Sequence, residues 1–244
     1  MFDEIRNAQG ELLDYTYSPA RSPAGDGSTA LVLIGHGVTG NKDRPWAVAL
    51  ADALSQAGIP AMRLSFSGNG ASAGHFAQST ISKEVCDLGA VIDAVGARRI
   101  VYSGHSMGGA VGVLRAVRDP RITLLVSLAG MVHTQDFAQR KFGHLKSGVD
   151  CMWEKPECPL SQEFLNDMRS IATVVELGAS VSIPWLLVHG TADEVVPVRD
   201  STDIRAAAGG HPELVELAGA DHVFSGRGTA DMTAAVVPWI AEHL

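Results

Sequence analysis

The run Gly104-His-Ser-Met-Gly108 is where the residue types and their spacing suit chemistry. Upstream, Arg99-Ile-Val-Tyr-Ser103 reads as a short buried strand. Downstream, Gly109 to Val117 reads as a helix built from small residues. A serine on a sharp strand-to-helix turn is driven toward positive φ, which is costly for any residue with a Cβ. Glycine two positions to either side removes the side chains that would clash and lets helix and strand approach closely. Such a turn lifts the Ser106 hydroxyl out of a sheet at a helix N-terminus, whose dipole favours negative charge. The residue expected from this pattern is a nucleophile.

A serine hydroxyl is weak at neutral pH and needs a base, which an acid must in turn orient. Behind such an elbow the partners follow in the chain order serine, acid, histidine. Of nine histidines, His36, His75, His105, His133, His144 and His189 precede the best acid. His211 abuts Pro212, and His243 sits at the chain end. His222, in Gly219-Ala-Asp-His-Val-Phe224, follows the apolar run Leu214–Leu217, so it is expected in a loop at the C-terminal end of a strand. His222 is the expected base. The acid is expected at Asp193, in the turn between the strand Trp185–Val188 and a helix opening near Pro197, where proline is tolerated. A turn or N-cap aspartate is the structural alternative, and both uses are compatible. Glu194 is expected to face solvent, and His189 to pack or hydrogen-bond at the strand end.

Attack on a carbonyl also needs donors for the developing oxyanion. One is the amide of Met107. The second is expected from Val38 in Gly35-His-Gly-Val-Thr-Gly40, the loop leaving the apolar strand Ala30–Ile34. No lysine follows at Walker spacing and no G-x-G-x-x-G is present, so a phosphate cradle is disfavoured.

The elements needed to position these groups alternate as strand and helix, which favours a mainly parallel sheet covered on both faces. An antiparallel pair opens the chain near Ile5 and over Leu12–Tyr17. A surface connection follows over residues 20–28. The pattern then predicts a helix over Pro45–Leu54, a strand over Ile59–Phe66, a loop over Ser67–Gly74, a helix over Ser82–Val95 and a strand over Ile122–Ala129. Between Gly130 and Ser182 the rhythm is lost and polar and aromatic residues mix. A structureless loop of that length is uncommon in a compact domain. Leaving a central strand, it is expected to lie over the ligand crevice as a cap. A helix within it is expected after the N-cap Ser161. Trp153, Phe142 and His105 are the expected substrate-binding side chains. Asp231–His243 closes the chain as a helix that Pro238 kinks.

With 244 residues and 46% hydrophobic content, the chain suits one α/β domain. A net charge of −8 and the lack of any Lys/Arg run disfavour nucleic-acid and membrane partners. No signal-peptide or transmembrane pattern is present, so cytoplasmic residence is expected. Three cysteines fit a reducing compartment. Cys86 is expected to be buried, and Cys151 and Cys158 to be free thiols, because no zinc-like ligand pairs flank them.

The segments Gly35-His-Gly-Val-Thr-Gly-Asn-Lys42, Arg63-Leu-Ser-Phe-Ser-Gly-Asn-Gly-Ala-Ser72 and Gly104-His-Ser-Met-Gly-Gly109 resemble the α/β-hydrolase superfamily. Within it they look like the cinnamoyl/feruloyl-esterase-like and serine-aminopeptidase-like branch. The resemblance implies a single domain over 1–244 with an eight-stranded, mainly parallel sheet flanked by helices and a cap insertion over 131–182. It implies a triad falling on Ser106, Asp193 and His222, with oxyanion amides at Val38 and Met107, and neither metal nor organic cofactor. The expected activity is hydrolysis of small carboxylic esters, of aryl or cinnamoyl type among others, through an acyl-enzyme. A thioesterase, an aminopeptidase or a non-catalytic receptor on the same fold are the alternatives. The expected partner is a small-molecule ester, with a homodimer allowed.

Overall fold

Four apolar runs form strands buried on both faces: Ala30–Gly35, Ile122–Leu128 apart from the half-buried Thr123, Trp185–Gly190 and, past its first residue, Arg99–His105. A strand of this kind is stable only where helices cover the sheet on both sides. The computed structural model describes residues 2–21, 30–96 and 98–244. In chain order its strands are β1 (Ile5–Arg6), β2 (Leu12–Leu13), β3 (Tyr15–Ser18), β4 (Ala30–Gly35), β5 (Ala61–Leu64), β6 (Arg99–His105), β7 (Ile122–Leu128), β8 (Trp185–Gly190) and β9 (Glu213–Leu217). The principal helices are α1 (Pro45–Gln56), α2 (Ile81–Val95), α3 (Met107–Ala116), α4 (Thr134–Phe142), α5 (Gln162–Ile171), α6 (Arg199–Ala207) and α7 (Arg227–His243).

The main sheet has seven strands in the order β3-β5-β4-β6-β7-β8-β9, all parallel except β3, which runs antiparallel to β5 at the edge. Among the described residues this corrects the expected eight strands. The opening pair exists, but Asp14 divides its second arm. Leu12–Leu13 pairs with Ile5–Arg6 in a separate ribbon, and Tyr15–Ser18 joins the main sheet. At the break, Asp14 donates its amide to Ser72 Oγ and accepts from Ser65 N, so its backbone leaves one partner for the other. The connection expected over 20–28 lies, from residue 22 on, outside the described residues.

Alternation along β4 builds the two cores. Leu31 and Leu33 pack with Val85, Leu88 and Ile92 of α2 and Val111 and Leu114 of α3. Val32 and Ile34 face the other way, toward Leu50 and Leu54 of α1 and Val236 and Ile240 of α7. Pro45 opens α1, where a missing N–H costs nothing. Pro238 lies inside α7, which continues through it as one element. Thr80 caps α2 by accepting from Lys83 N at 3.1 Å, and Ser161 caps α5 by accepting from Phe164 N at 3.0 Å. Cys86 is exposed rather than buried, because it falls on the outer face of α2; all three cysteines are free thiols.

After β4 the chain moves to β5 on one side and then to β6 on the other, so the strand order reverses between β4 and β6. In open α/β sheets the crevice beyond the carboxyl ends at such a reversal is where ligands bind. Both the Gly35–Gly40 turn and Ser106 leave the sheet at this point, since Gly35 pairs with Gly104 across it. Residues 131–182, between β7 and β8, carry α4 and α5 beyond the same edge. Asp167 on α5 fastens this segment to the body by accepting from both Ser82 N and Ser82 Oγ. No helix among the described residues is long and apolar enough to cross a membrane.

Candidate active site

Ser106 stands between β6 and α3 with φ 53° and ψ −118°. Its amide donates to Leu128 O at 2.9 Å, and its carbonyl accepts from Gly109 N and Met131 N, each at 2.9 Å. These bonds hold a backbone conformation that a residue with a Cβ rarely adopts. The flanking glycines are required by distance. A Cβ on Gly104 would lie 2.1 Å from Gly108 O, and one on Gly108 would lie 2.6 Å from His36 O. α3 therefore packs against β6 and against the β4 loop at separations only glycine allows.

The Gly37–Gly40 segment is a tight turn closed by Gly40 N donating to Gly37 O at 2.9 Å, with Thr39 at φ 55°. Neither Val38 N nor Met107 N, the two expected oxyanion donors, has a partner among the described residues. Beneath the turn, His36 donates from Nδ1 to Gly37 O at 2.9 Å and accepts at Nε2 from Phe66 N at 3.0 Å. Burial keeps that ring neutral, pulling its pKa down to about 4.

Asp193 sits past β8 with its side chain fully buried. Its Oδ1 accepts from Val195 N at 2.8 Å and Val196 N at 2.9 Å, and its Oδ2 accepts from His222 Nδ1 at 2.7 Å. His189 Nε2 lies 3.3 Å from the same Oδ2. Burial alone would raise the carboxyl pKa, but the His189 and His222 donors and the Val196 amide outweigh it and hold Asp193 well below the usual carboxylate range. An ionised carboxylate at Nδ1 fixes the proton there and leaves His222 Nε2 as an acceptor. His189 is the strand-end hydrogen-bonding residue expected, donating from Nε2 to Val196 O at 2.9 Å and accepting at Nδ1 from Ser201 Oγ at 2.7 Å. Glu194 is exposed.

Ser106 and His222 line one cavity of about 210 Å³, together with the Gly37–Gly40 turn, Trp46, Trp153, Val195 and Val223. No hydrogen bond joins Ser106 Oγ to His222 among the described residues. His105 lines the wall, but its Nε2 donates to His222 O at 2.7 Å. Its ring lies between those of Trp46 and His222, tilted to both, at centroid distances of 4.8 and 4.7 Å. Burial, then the neighbouring His222, holds its pKa down to about 3. A neutral ring here fixes the backbone of the histidine loop. Trp153 reaches the cavity, whereas Phe142, expected to touch substrate, does not. It is buried under Trp153 at a ring separation of 4.8 Å, in an aromatic cluster with Phe137 and Phe164 that anchors the segment.

The sequence profile of the family described as "Serine aminopeptidase, S33" matches residues 26–152, just over half of the chain. The chain belongs to that family. Its fold is the α/β-hydrolase fold. The structure of Est1E from Butyrivibrio proteoclasticus with ferulic acid bound superposes with a TM-score of 0.85 at 24% identity, covering 99% of each chain. An uncharacterized protein of Mycobacterium tuberculosis is 28% identical over 228 residues, 89% of this chain and 70% of that one. The human palmitoyl-protein thioesterase ABHD10, mitochondrial, is 26% identical over 170 residues, 65% of this chain and 55% of that one. Within this S33 member, the cavity residues that sequence reasoning missed are Arg44, Trp46, Lys155, Val195 and Val223. Arg44 and Trp46 carried a local signal, namely their position at the start of a helix that follows a glycine-rich loop. The others had none.

Proposed function

We propose that the protein is a serine hydrolase that cleaves small carboxylic esters through an acyl-enzyme. Ser106 is the nucleophile, His222 the general base and acid, and Asp193 the group that fixes the His222 tautomer. The amides of Val38 and Met107 receive the oxyanion. The observation that carries this reading is the 2.7 Å His222–Asp193 contact on the wall of the cavity that also holds Ser106. The Ser106–His222 contact closes as substrate fills the cavity, as catalytic hydrogen bonds commonly do on binding.

In the first half-reaction, Ser106 Oγ bonds to the ester carbonyl carbon while its proton passes to His222 Nε2. The carbonyl electron pair moves onto the oxygen between the two free amides. Collapse breaks the bond to the alcohol oxygen, which takes the proton from His222 and leaves. Water then repeats the sequence on the acyl carbon, giving up one proton to His222, and the carboxylic acid departs as Ser106 recovers its proton. Residues 131–182 act as the cap, contributing Trp153 to the acyl-binding wall.

Among the described residues no carboxylate lines the cavity. An aminopeptidase needs one to hold the substrate ammonium, so the absence favours an ester over an aminoacyl amide. Ferulic acid in Est1E supports an aryl acyl group. The similarity to ABHD10, named a palmitoyl-protein thioesterase, supports thioesters as the second reading. Three free thiols fit a cytoplasmic enzyme. The test is turnover of p-nitrophenyl acetate and butyrate by wild type and Ser106→Ala, with fluorophosphonate labelling alongside. Ser106→Ala is expected to lose at least about a thousandfold in kcat and all labelling. Equal rates in the two proteins would remove Ser106 from the reaction. A folded wild type that neither labels nor turns over any ester would instead favour a receptor.

A further inference from the structure

We propose that Arg44 and Lys155 form an anion-binding subsite beside Ser106, so that the preferred substrates are esters bearing a carboxylate or phosphate group. The inference rests on the hydrolase reading above and names its substrate class. The chain carries a net charge of −8, yet the residues lining the cavity include these two cations and no carboxylate among those described. That inversion of sign is local, and it occurs at the one cavity that also holds Ser106 and His222.

Neither cation has an acidic partner among the described residues. Arg44 makes one side-chain hydrogen bond, from Nη2 to Thr39 O at 2.7 Å, which leaves most of its donors unused. Lys155 Nζ has no hydrogen bond or ion pair among the described residues. The carboxylate next to Arg44 in sequence, Asp43, is taken by Lys42 and Arg63, both at 2.9 Å. Glu154 and Glu157, on either side of Lys155, are exposed and do not line the cavity. Trp46, Trp153, Val195 and Val223 give the wall apolar surface beside Thr39, His105, Ser106 and His222, so charges there are screened less than on open surface.

The two cations also come from different parts of the fold. Arg44 immediately precedes α1, and its bond to Thr39 O ties it to the turn that carries the Val38 amide. Lys155 belongs to the 131–182 segment and follows Trp153 and Glu154, which stand at φ 50° and 57°. An anionic group held by both would link that segment to the oxyanion turn, so substrate charge would position the ester carbon over Ser106.

The test compares wild type with Arg44→Gln and Lys155→Met on two pairs of esters. The first pair is 4-methylumbelliferyl butyrate and hemisuccinate, which differ by a carboxylate on the acyl side. The second is phenyl butyrate and 4-carboxyphenyl butyrate, which differ by a carboxylate on the alcohol side. In at least one pair, each variant is expected to lower kcat/KM for the anionic ester about tenfold more than for the neutral one, and added salt to erode the wild-type preference. Parallel losses within both pairs overturn the subsite while leaving ester hydrolysis intact. A binding arm is independent of turnover. Ser106→Ala protein is titrated with 4-phenylbutyrate, 3-phenylpropylphosphonate and the neutral 4-phenylbutyramide, following the fluorescence of Trp46 and Trp153. Preferential binding of either acid, weakened about tenfold when Lys155→Met is added, supports the subsite even if no ester is hydrolysed, in which case the hydrolase reading alone fails. The stronger of the two acids identifies the anion. Equal binding of amide and acids overturns the proposal.

Discussion

Adding one methyl at Gly37 is the sharpest test of how the proposed oxyanion turn meets the proposed nucleophile, Ser106. A Cβ there would lie 2.6 Å from Ser106 Cβ and 3.1 Å from both Ser106 Oγ and His105 O. Carbon atoms in good contact stand about 3.5–4.0 Å apart, so turn and serine must separate by about 1 Å. Gly37 does not occupy the left-handed region, so alanine meets no backbone penalty and the cost is steric. A displacement of about 1 Å at a reacting centre costs roughly a hundredfold in rate, and overpacking a tight site costs about 1–3 kcal/mol. Gly37→Ala is therefore expected to lower kcat on p-nitrophenyl butyrate about a hundredfold while remaining folded. The assay pairs steady-state kinetics with urea unfolding. Gly178→Ala is the control, since its Cβ meets Ile204 at 3.1 Å and then Ala208, neither of which lines the cavity; it should cost stability and change kcat by less than about twofold. A folded Gly37→Ala whose kcat matches that control would refute the view that the turn is seated on the serine.

Asp193→Asn keeps the shape of a buried side chain that accepts from two amides and His222, but it no longer dictates the imidazole tautomer. Its kcat is expected to drop by about 10⁴, with KM little changed, and a loss below about tenfold in steady-state kinetics would count against the assigned role. Acid stability should report the buried histidines. His36 and His105, lowered to about 4 and about 3, stay neutral in the folded state while the unfolded chain takes up protons below pH 6.5. Stability they contribute is full above pH 6.5 and is lost as pH falls toward their folded values, at about 2 kcal/mol each by pH 5. Glu84, whose pKa is raised well above the ordinary carboxylate value by burial and then by the neighbouring Asp87, acts in the opposite sense. The readout is thus the difference in urea unfolding between pH 7.5 and 5 for wild type and His36→Gln, and equal differences in the two proteins would contradict the reading.

What was legible in the sequence was local. The elbow could be read because glycine at 104 and 108 leaves a fixed signature around Ser106. Asp193 and His222 could be read because each follows an apolar run that ends a strand. Ser161 could be read as a cap from its type and position. Features that depend on long-range packing could not be read in this way. The Leu12–Tyr17 run looks continuous, yet Asp14 divides it because Ser65 and Ser72, far along the chain, bind its backbone. Phe142 and Trp153 are both aromatic residues in the same segment, and nothing local says which is covered by the other. Arg44 looks like a polar lead-in to a helix, and only the return of Lys155 to the same cavity gives it a charged neighbour across the space.

The distribution of backbone strain supports the placement of function on one edge of the sheet. Among the described residues, seven that are not glycine have positive φ. Thr39, Ser106, Ala129 and Phe224 lie in the loops leaving β4, β6, β7 and β9 at their carboxyl ends. Trp153, Glu154 and Ala172 lie in the 131–182 segment, which leaves from the same edge. At the opposite edge, where the chain enters β5, β6 and β9, positive φ falls on Gly58, Gly96, Gly209 and Gly210, which adopt it without penalty. Each strained residue costs about 1–3 kcal/mol, so the set is comparable with the net stability of a domain and persists only where surrounding contacts fix it. Such contacts are present. Ser106 is held through its own amide and carbonyl, Thr39 through Arg44, and Phe224 by a fully buried ring and a bond from Thr229 Oγ1 to its carbonyl. Relaxed glycine turns would have been cheaper at both edges. Strain on residues other than glycine, found among the described residues only at the carboxyl edge and in the segment that leaves it, fits an edge that holds the proposed reacting groups in place before substrate arrives.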